Sequence, residues 1–236
     1  MNANTLSPLF LSFIFLCCSQ TSDSSTGMPE NRDKNTIRYV ALGDSYTICE
    51  GAKTEDSWPV LLTQHLNEKK IPVQLIANPS RTGWTTQDLI DNELEIFDAS
   101  KADLATLCIG VNDYFQGIDS GTFHANLVFI LDHVQKKLSD KTKLILITIP
   151  DYSVTPSGSK YAVGRDVPRG LTEFNNIILA EAKKRNLKTV DLFEISKGMK
   201  GDNTLVARDG LHPSAKEYAL WEKLILPVAM EVLKKK

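Results

Sequence analysis

The chain has little excess charge and few of the residue types that bind metals. Its 236 residues include 27 Lys and Arg against 29 Asp and Glu, which gives a formal net charge of −2 at pH 7. A charge so close to balance creates no field that would gather phosphates, so we expect no nucleic-acid partner. The four cysteines and four histidines form no Cys-x-x-Cys or His-Glu-x-x-His spacing. A metal site therefore has no support from the sequence.

The N-terminal segment contains an apolar stretch over 6–18 that is followed by a Ser- and Thr-rich tract. At about 13 residues, the stretch is too short to cross a bilayer and suits the hydrophobic region of a secretory signal. We therefore expect an export signal over 1–18, a flexible polar tether over 19–35 and a folded domain over 36–236. The expected location is the cell envelope, with the protein lipid-anchored, periplasmic or secreted.

Two adjacent cysteines, Cys17 and Cys18, close the predicted signal. This placement resembles a bacterial lipoprotein signal, in which a cysteine becomes the lipidated first residue of the mature protein. Cys18 is the predicted lipidation site and Cys17 the alternative, while a signal cleaved without lipid attachment is the other interpretation. Such an anchor is the only membrane contact that we expect.

Two further cysteines, Cys49 and Cys108, lie near the ends of predicted strands. An exported protein could oxidise them to a disulfide. Nothing in the sequence fixes their separation, so two free buried thiols are the other interpretation.

Apolar runs alternate with amphipathic segments from residue 37 onward. The predicted strands are 37–42, 73–76, 103–109, 143–149 and 188–192, and the predicted helices are 58–69, 86–97, 123–138, 168–185 and 214–235. Several strands are apolar on both faces, which is typical of a parallel sheet covered by helices on both sides. We therefore predict one three-layer α/β/α domain with a doubly wound, five-stranded parallel sheet of flavodoxin-like type. Ligands of such domains bind at the carboxyl ends of the strands.

One connection, 150–167, is rich in Pro, Gly and Ser and, at about 18 residues, is longer than most loops of α/β domains. It follows a central strand at the end where ligands bind. A substrate-contacting loop or lid and a flexible surface excursion are both compatible with this composition.

The string Gly43-Asp44-Ser45 directly follows the first predicted strand. A serine at the end of a strand projects its hydroxyl into the ligand crevice and also offers its backbone N–H. Ser45 is therefore a candidate nucleophile. The alternative is an ordinary helix cap, in which Asp44 and Ser45 satisfy free backbone donors.

The string Asp209-Gly210-Leu211-His212-Pro213 precedes the last predicted helix. A serine hydroxyl becomes a good nucleophile when a neutral imidazole takes its proton and a carboxylate holds that imidazole in the required tautomer. One short loop could supply both groups, with His212 as base and Asp209 as orienting acid. The alternative is a turn that opens the helix. The remaining histidines fall in predicted helices and are interpreted as surface or packing residues: His65, His124 and His133.

Ester hydrolysis also needs hydrogen-bond donors for the charge that develops on the carbonyl oxygen. Asn112 follows a predicted strand and carries a neutral amide donor. Gly83 follows the second strand and could offer a backbone N–H with no side chain in the way. Each could instead be a turn residue. Asp113 is interpreted as a cap for the segment that follows it.

These blocks resemble the GDSL-type, or SGNH, family of serine hydrolases. Gly-Asp-Ser at Ser45, an isolated Gly83, Gly-x-Asn-Asp at Asn112 and Asp-x-x-His at His212 occur in the family's order between Tyr39 and Pro213. The resemblance implies Ser45 as nucleophile, His212 as base and then acid, and Asp209 as orienter. It also implies an oxyanion hole formed by the N–H groups of Ser45 and Gly83 with the Asn112 amide. Tyr46 and Cys49 differ from the residues that the family's motif has at these positions, and they could reshape the acyl pocket.

The resemblance implies a monomeric hydrolase of carboxylic esters, either acyl or acetyl, that forms an acyl-serine intermediate without a cofactor. Acylated sugars and lipids are the expected small-molecule substrates, and the resemblance is equally compatible with lysophospholipids and thioesters. A catalytically silent domain of the same fold, binding envelope glycans or a protein partner, is the first alternative. A flavodoxin-like cofactor or nucleotide binder is the second, although neither Gly-x-Gly-x-x-Gly nor Gly-x-x-x-x-Gly-Lys-Ser/Thr occurs.

Overall fold

A computed structural model describes residues 35–234. The predicted export signal, with Cys17 and Cys18, and all but the last residue of the predicted tether lie outside these residues. No helix of the described chain is both long enough and apolar enough to cross a membrane.

Five parallel strands form the central sheet. Their bounds are Ile37–Gly43 (β1), Val73–Ala77 (β2), Leu104–Cys108 (β3), Leu144–Ile147 (β4) and Lys188–Val190 (β5). They lie in the order β2-β1-β3-β4-β5, and every neighbouring pair is parallel. All residues of β3 and β4 are buried, because helices cover both faces of the sheet. The predicted fold class is confirmed.

Long helices form the two outer layers. Their bounds are Trp58–Glu68 (α2), Thr86–Ser100 (α3), Ser120–Lys137 (α5), Val167–Arg185 (α7) and Ala215–Lys234 (α9), and four shorter helices are Ser45–Ile48 (α1), Val111–Gln116 (α4), Gly158–Tyr161 (α6) and Phe193–Ser196 (α8). Helix α2 packs against α9, whereas α5 packs against both α3 and α7. Each long predicted helix is present with ends shifted by up to three residues.

Two differences between the predicted and observed ends of elements, one of a helix and one of a strand, have local causes. Helix α5 begins at Ser120 because Asp119 accepts hydrogen bonds from the N–H groups of Gly121 and Thr122, a side-chain cap that starts the helix early. Strand β5 ends at Val190 because Asp191 accepts hydrogen bonds from the Phe193 N–H and the Thr148 hydroxyl, which turns the chain away from the sheet.

The sheet order places a topological switch point between β1 and β3. The chain leaves β1 towards β2 on one side and returns to β3 on the other, so the connections part above these two strands. Their carboxyl ends are in register, with Gly43 opposite Cys108. Open α/β sheets bind their ligands at such a crevice, and both Gly43-Asp44-Ser45 and Gly110-Val111-Asn112 begin there.

Candidate active site

Ser45 is the first residue of α1 and lies directly beyond β1. The turn before it needs glycine, because a Cβ at Gly43 would lie 2.2 Å from both the Cys108 carbonyl oxygen and the Thr47 hydroxyl. Asp44 caps α1 by accepting a 2.9 Å hydrogen bond from the Tyr46 N–H. The strand end and this cap hold Ser45 in place, with only 4% of its surface exposed.

Asp209 and His212 are joined within one loop. Asp209 Oδ2 lies 2.6 Å from His212 Nδ1, and Asp209 Oδ1 accepts hydrogen bonds from the N–H groups of Leu211 and His212. Burial alone would raise the pKa of Asp209, but the hydrogen bonds from His212 and the two backbone donors hold that pKa below its usual range. The carboxylate is therefore ionised and fixes the orientation of the imidazole.

Asn112 lies in the first turn of α4, directly beyond β3. Gly110 makes this turn with a φ of 120°, and a Cβ there would lie 2.6 Å from the Phe123 ring. The Asn112 Nδ2 donates a 2.9 Å hydrogen bond to the Trp84 carbonyl oxygen. That bond fixes the rotation of the amide and leaves its second N–H hydrogen for another acceptor.

Gly83 lies in the turn that contains Trp84. Its φ of 84° is in the left-handed region, and a Cβ added to it would meet no atom within 4 Å. Gln116 at the end of α4 donates a 3.3 Å hydrogen bond to the Gly83 carbonyl oxygen. Both ends of α4 therefore contact the 83–84 turn, through Asn112 and Gln116.

Ser45, Asn112 and His212 line one cavity of about 80 Å³, and its remaining lining residues are Tyr46, Val111, Phe115, Tyr152 and Leu211. The site therefore brings together residues from three distant blocks of sequence. Asp209 reaches the cavity through its hydrogen bond to His212, and Gly83 is not among the lining residues. No hydrogen bond between Ser45 and His212 occurs in the part of the chain that the structure describes.

Several lining residues were not predicted from the sequence. Phe115 and Tyr152 come from α4 and from the long connection after β4, and their side chains meet edge to face at 6.0 Å. Their residue types give no signal, although the composition of 150–167 is compatible with a substrate-contacting loop. Tyr46 also lines the cavity, and it is one of the two residues that differ from the family's motif.

Asp113 caps a helix, but not the segment that follows it. Its Oδ2 accepts a 2.9 Å hydrogen bond from the Thr86 N–H, and its Oδ1 accepts one from the Thr86 hydroxyl. Thr86 is the first residue of α3, so the carboxylate satisfies donors of a distant helix that the sheet brings next to α4. Sequence spacing alone could not show this contact.

The other histidines pair with acids outside the cavity: His65 with Glu222 at 3.0 Å, His124 with Glu181 at 3.1 Å and His133 with Asp98 at 2.8 Å. Cys49 and Cys108 are both buried free thiols, so the disulfide alternative is wrong.

Two buried carboxyl groups, Asp44 and Glu93, lie in and against the turn that carries Ser45. Glu93 on α3 accepts a 3.1 Å hydrogen bond from the Gly43 N–H, and Asp44 is the cap of α1. Burial raises the pKa of Asp44 to about 8 and that of Glu93 to about 9, although backbone donors partly offset it. Both groups are therefore mainly protonated at neutral pH.

The GDSL-like Lipase/Acylhydrolase family model matches residues 41–220, more than half of the chain. Among solved structures, the lipase/acylhydrolase from Enterococcus faecalis is 24% identical over 85% of this chain and 98% of its own, with a TM-score of 0.68. The psychrotrophic esterase EstA from Pseudoalteromonas sp. is 19% identical over 84% and 100%, with a TM-score of 0.66. The family 3 carbohydrate esterase from Clostridium thermocellum is 19% identical over 84% and 98%, with a TM-score of 0.66. No curated protein matches the sequence.

At these identities the solved structures share the fold, and the family match carries the assignment. The matched span contains Ser45, Gly83, Asn112, Asp209 and His212. The chain belongs to the GDSL-like lipase/acylhydrolase family and is a carboxylic ester hydrolase.

Proposed function

We propose that the protein cleaves short-chain carboxylic esters with Ser45 as nucleophile, His212 as general base and acid, and Asp209 as the acid that orients His212. The observation that carries the proposal is the single cavity lined by Ser45, Asn112 and His212. In this cavity, the 2.6 Å contact between His212 Nδ1 and Asp209 Oδ2 orients the imidazole.

In the first half-reaction, the Asp209 carboxylate keeps the proton of the neutral imidazole on Nδ1, so Nε2 is free to accept another. Nε2 takes the Ser45 hydroxyl proton while Oγ forms a bond to the ester carbonyl carbon. The resulting tetrahedral oxyanion collapses, the bond to the leaving oxygen breaks, and His212 gives its proton to that oxygen. Alcohol leaves and an acyl-Ser45 ester remains.

In the second half-reaction, water repeats these steps in the place of the serine. His212 takes a proton from water as the water oxygen attacks the acyl carbon. Collapse of the second tetrahedral intermediate breaks the bond to Ser45 Oγ, which recovers its proton from His212. The products are a carboxylic acid and free enzyme.

The oxyanion of each intermediate needs donors that are in place beforehand. We assign this role to the N–H groups of Ser45 and Gly83 and to the Asn112 amide. One hydrogen of that amide is engaged by the Trp84 carbonyl oxygen, which orients the other. The bond between Gln116 and the Gly83 carbonyl supports the same turn from the far end of α4.

The cavity favours a small acyl group. Its volume of about 80 Å³ is far below the roughly 300–1,000 Å³ of pockets that hold drug-sized ligands. Aromatic side chains line the cavity, and one of them, Phe115, is 44% exposed to solvent. We therefore propose that the preferred substrates are acetyl and similarly short acyl esters of sugar or lipid alcohols, and that long-chain esters are poorer substrates.

The first experiment measures hydrolysis of p-nitrophenyl esters of increasing acyl length. Wild type should favour acetate over octanoate, and Ser45→Ala should abolish turnover. Ser139→Ala, which changes an exposed serine, is the matched control and should retain wild-type rates. Equal rates for wild type and Ser45→Ala would contradict the proposal. A catalytically silent domain would show neither activity nor a change on mutation.

We also propose, from the sequence pattern alone, that the protein is exported as a monomer and anchored through a lipid on Cys18. Metabolic labelling with a fatty acid in a bacterial host tests the anchor. Cys18→Ser should remove the label and Cys17→Ser should retain it. The reverse result would move the anchor to Cys17, and an unlabelled wild type would exclude it.

A further inference from the structure

Residues 151–166, which make up most of the connection between β4 and α7, contact both the loop of the proposed base and the helix of the proposed oxyanion donor. It contains a 3₁₀ turn, Tyr152–Val154, and the short helix α6. Asp151 anchors its start, since the Asp151 N–H donates a 2.9 Å hydrogen bond to the Ser196 hydroxyl. Thr155 inside it is fully buried. The first half of the segment is thus built into the domain.

At one point, the segment holds the loop that carries Asp209 and His212. The Ser157 N–H donates a 2.7 Å hydrogen bond to the Gly210 carbonyl oxygen, and the Ser157 hydroxyl donates a 3.0 Å hydrogen bond to the Asp209 carbonyl oxygen. The approach is close, because a Cβ at Gly210 would lie 2.8 Å from Ser157 Oγ. Ser157 therefore fixes the backbone between the acid and the base.

At its other end, the segment holds α4. Arg165 donates hydrogen bonds from Nη1 to the Phe115 carbonyl oxygen at 3.1 Å and from Nη2 to the Tyr114 carbonyl oxygen at 2.6 Å. Its guanidinium also lies 4.5 Å from the centre of the Tyr114 ring. The last carbonyls of a helix have no partner inside it, and a cation is favoured there.

The Tyr114 side chain also contacts the start of α7. Its hydroxyl donates a 3.3 Å hydrogen bond to the Asp166 carbonyl oxygen, and a Cβ at Gly170 would lie 2.1 Å from its ring. Helix α4 has only six residues, so a shift at its carboxyl end would move Asn112 near its amino end.

We propose that Ser157 and Arg165 are positioning residues for ester hydrolysis, with Ser157 acting through His212 and Arg165 acting through Asn112. The proposal rests on the roles given above to those two residues. By holding the base loop and α4 at once, segment 151–166 sets the spacing between the proton acceptor and the oxyanion donor. Displacements near 1 Å can reduce turnover about a hundredfold.

Arg165→Met keeps an unbranched, mainly apolar side chain but removes the guanidinium with its charge and its donors. We expect kcat per active site to fall about ten- to hundredfold with KM changed less than about twofold, because the ground-state pocket is retained. Arg165→Lys keeps the charge and should recover part of the loss. Arg169→Met removes the same charge from an exposed position and should match wild type. Burst titration with p-nitrophenyl acetate counts the folded sites in each preparation.

A double-mutant cycle tests whether Arg165 acts through Asn112. In the Asn112→Ala background, Arg165→Met should lower kcat by less than about twofold, because the group that it positions is gone. Losses that multiply in full would overturn that route, and so would an Arg165→Met kcat equal to that of wild type.

Ser157→Ala removes one hydrogen bond and keeps the backbone bond to Gly210. The loss of a single hydrogen bond predicts about a three- to tenfold fall in kcat. The control is Ser159→Ala, which should match wild type because the Ser159 hydroxyl donates its hydrogen bond to the Pro156 carbonyl oxygen within the same segment. Equal kcat for Ser157→Ala and wild type would overturn the role of Ser157. A wild type with no turnover and no burst would instead refute the proposed function.

Discussion

Acidic side chains are used in opposite ways in two regions around Ser45. In the loop before α9, Asp209 is partly exposed, and hydrogen bonds hold its pKa below the usual range. At the turn of Ser45, Asp44 and Glu93 are buried and have pKa values raised to about 8 and about 9. The first acid acts as a charge beside an imidazole. The buried pair acts as neutral hydrogen-bonding groups that hold the backbone of the turn.

The largest expected effect comes from the imidazole that the ionised acid orients. His212→Ala should lower kcat on the order of a million-fold, since it removes the group that we propose as proton acceptor for Ser45. The control is His65→Ala, which removes a histidine paired with Glu222 outside the cavity, and it should keep near-wild-type turnover. Steady-state hydrolysis of p-nitrophenyl acetate gives both values. A loss below about tenfold for His212→Ala would remove the base from the account.

The comparison between the two kinds of acid is tested by removing each as its amide. Asp209→Asn should lower kcat about ten-thousandfold, because the amide holds the imidazole in the wrong tautomer. Glu93→Gln makes the same chemical change at a buried, mainly neutral carboxyl and should alter kcat by less than about threefold. Similar losses in the two variants would show that the distinction between the acids is wrong.

The next effect concerns Asn112, the proposed oxyanion donor. Asn112→Ala should lower kcat about a hundred- to thousandfold with little change in KM, because an oxyanion donor acts mainly in the transition state. Asn92→Ala changes an exposed asparagine on α3 and is the control. A rise in KM with unchanged kcat would instead make Asn112 a substrate-binding group.

The smallest effect is on stability and reports the buried acids alone. The pKa of Glu93 is about 9 in the folded protein and 4.5 as its ordinary value, so between these pH values the folded state binds more protons than the unfolded state. The stabilisation is complete below pH 4.5 and is lost as pH rises through about 9. Glu93→Gln should flatten this dependence.

Melting curves from pH 5 to pH 9 measure this difference. The two proteins should melt at similar temperatures at the acidic end, and the advantage of Glu93→Gln should grow with pH, on the order of 2–4 °C for each kcal/mol. For Asp209, the pH dependence of its contribution to stability has the opposite sign. Its contribution is present above its ordinary pKa of 3.8 and is lost as pH falls through the lower folded value. Parallel melting curves for wild type and Glu93→Gln would contradict a neutral Glu93.

The fold and the polar residues of the candidate site can be predicted from the sequence. Alternating apolar and amphipathic segments predict all five strands, because buried parallel strands need apolar residues on both faces. Ser45, Asn112 and His212 follow strand ends or precede a helix, so local pattern reveals them. Phe115, Tyr152 and Arg165 have no such signal. Their roles depend on how 151–166 folds back onto α4, and that contact is fixed by tertiary packing alone.

The most direct test of the central claim is covalent labelling with a fluorophosphonate, followed by mass spectrometry of the digested protein. The account predicts one phosphonyl group per chain on Ser45 and labelling that slows sharply in His212→Ala but hardly in Glu93→Gln. Label on another serine, or equal labelling rates in wild type and His212→Ala, would contradict it.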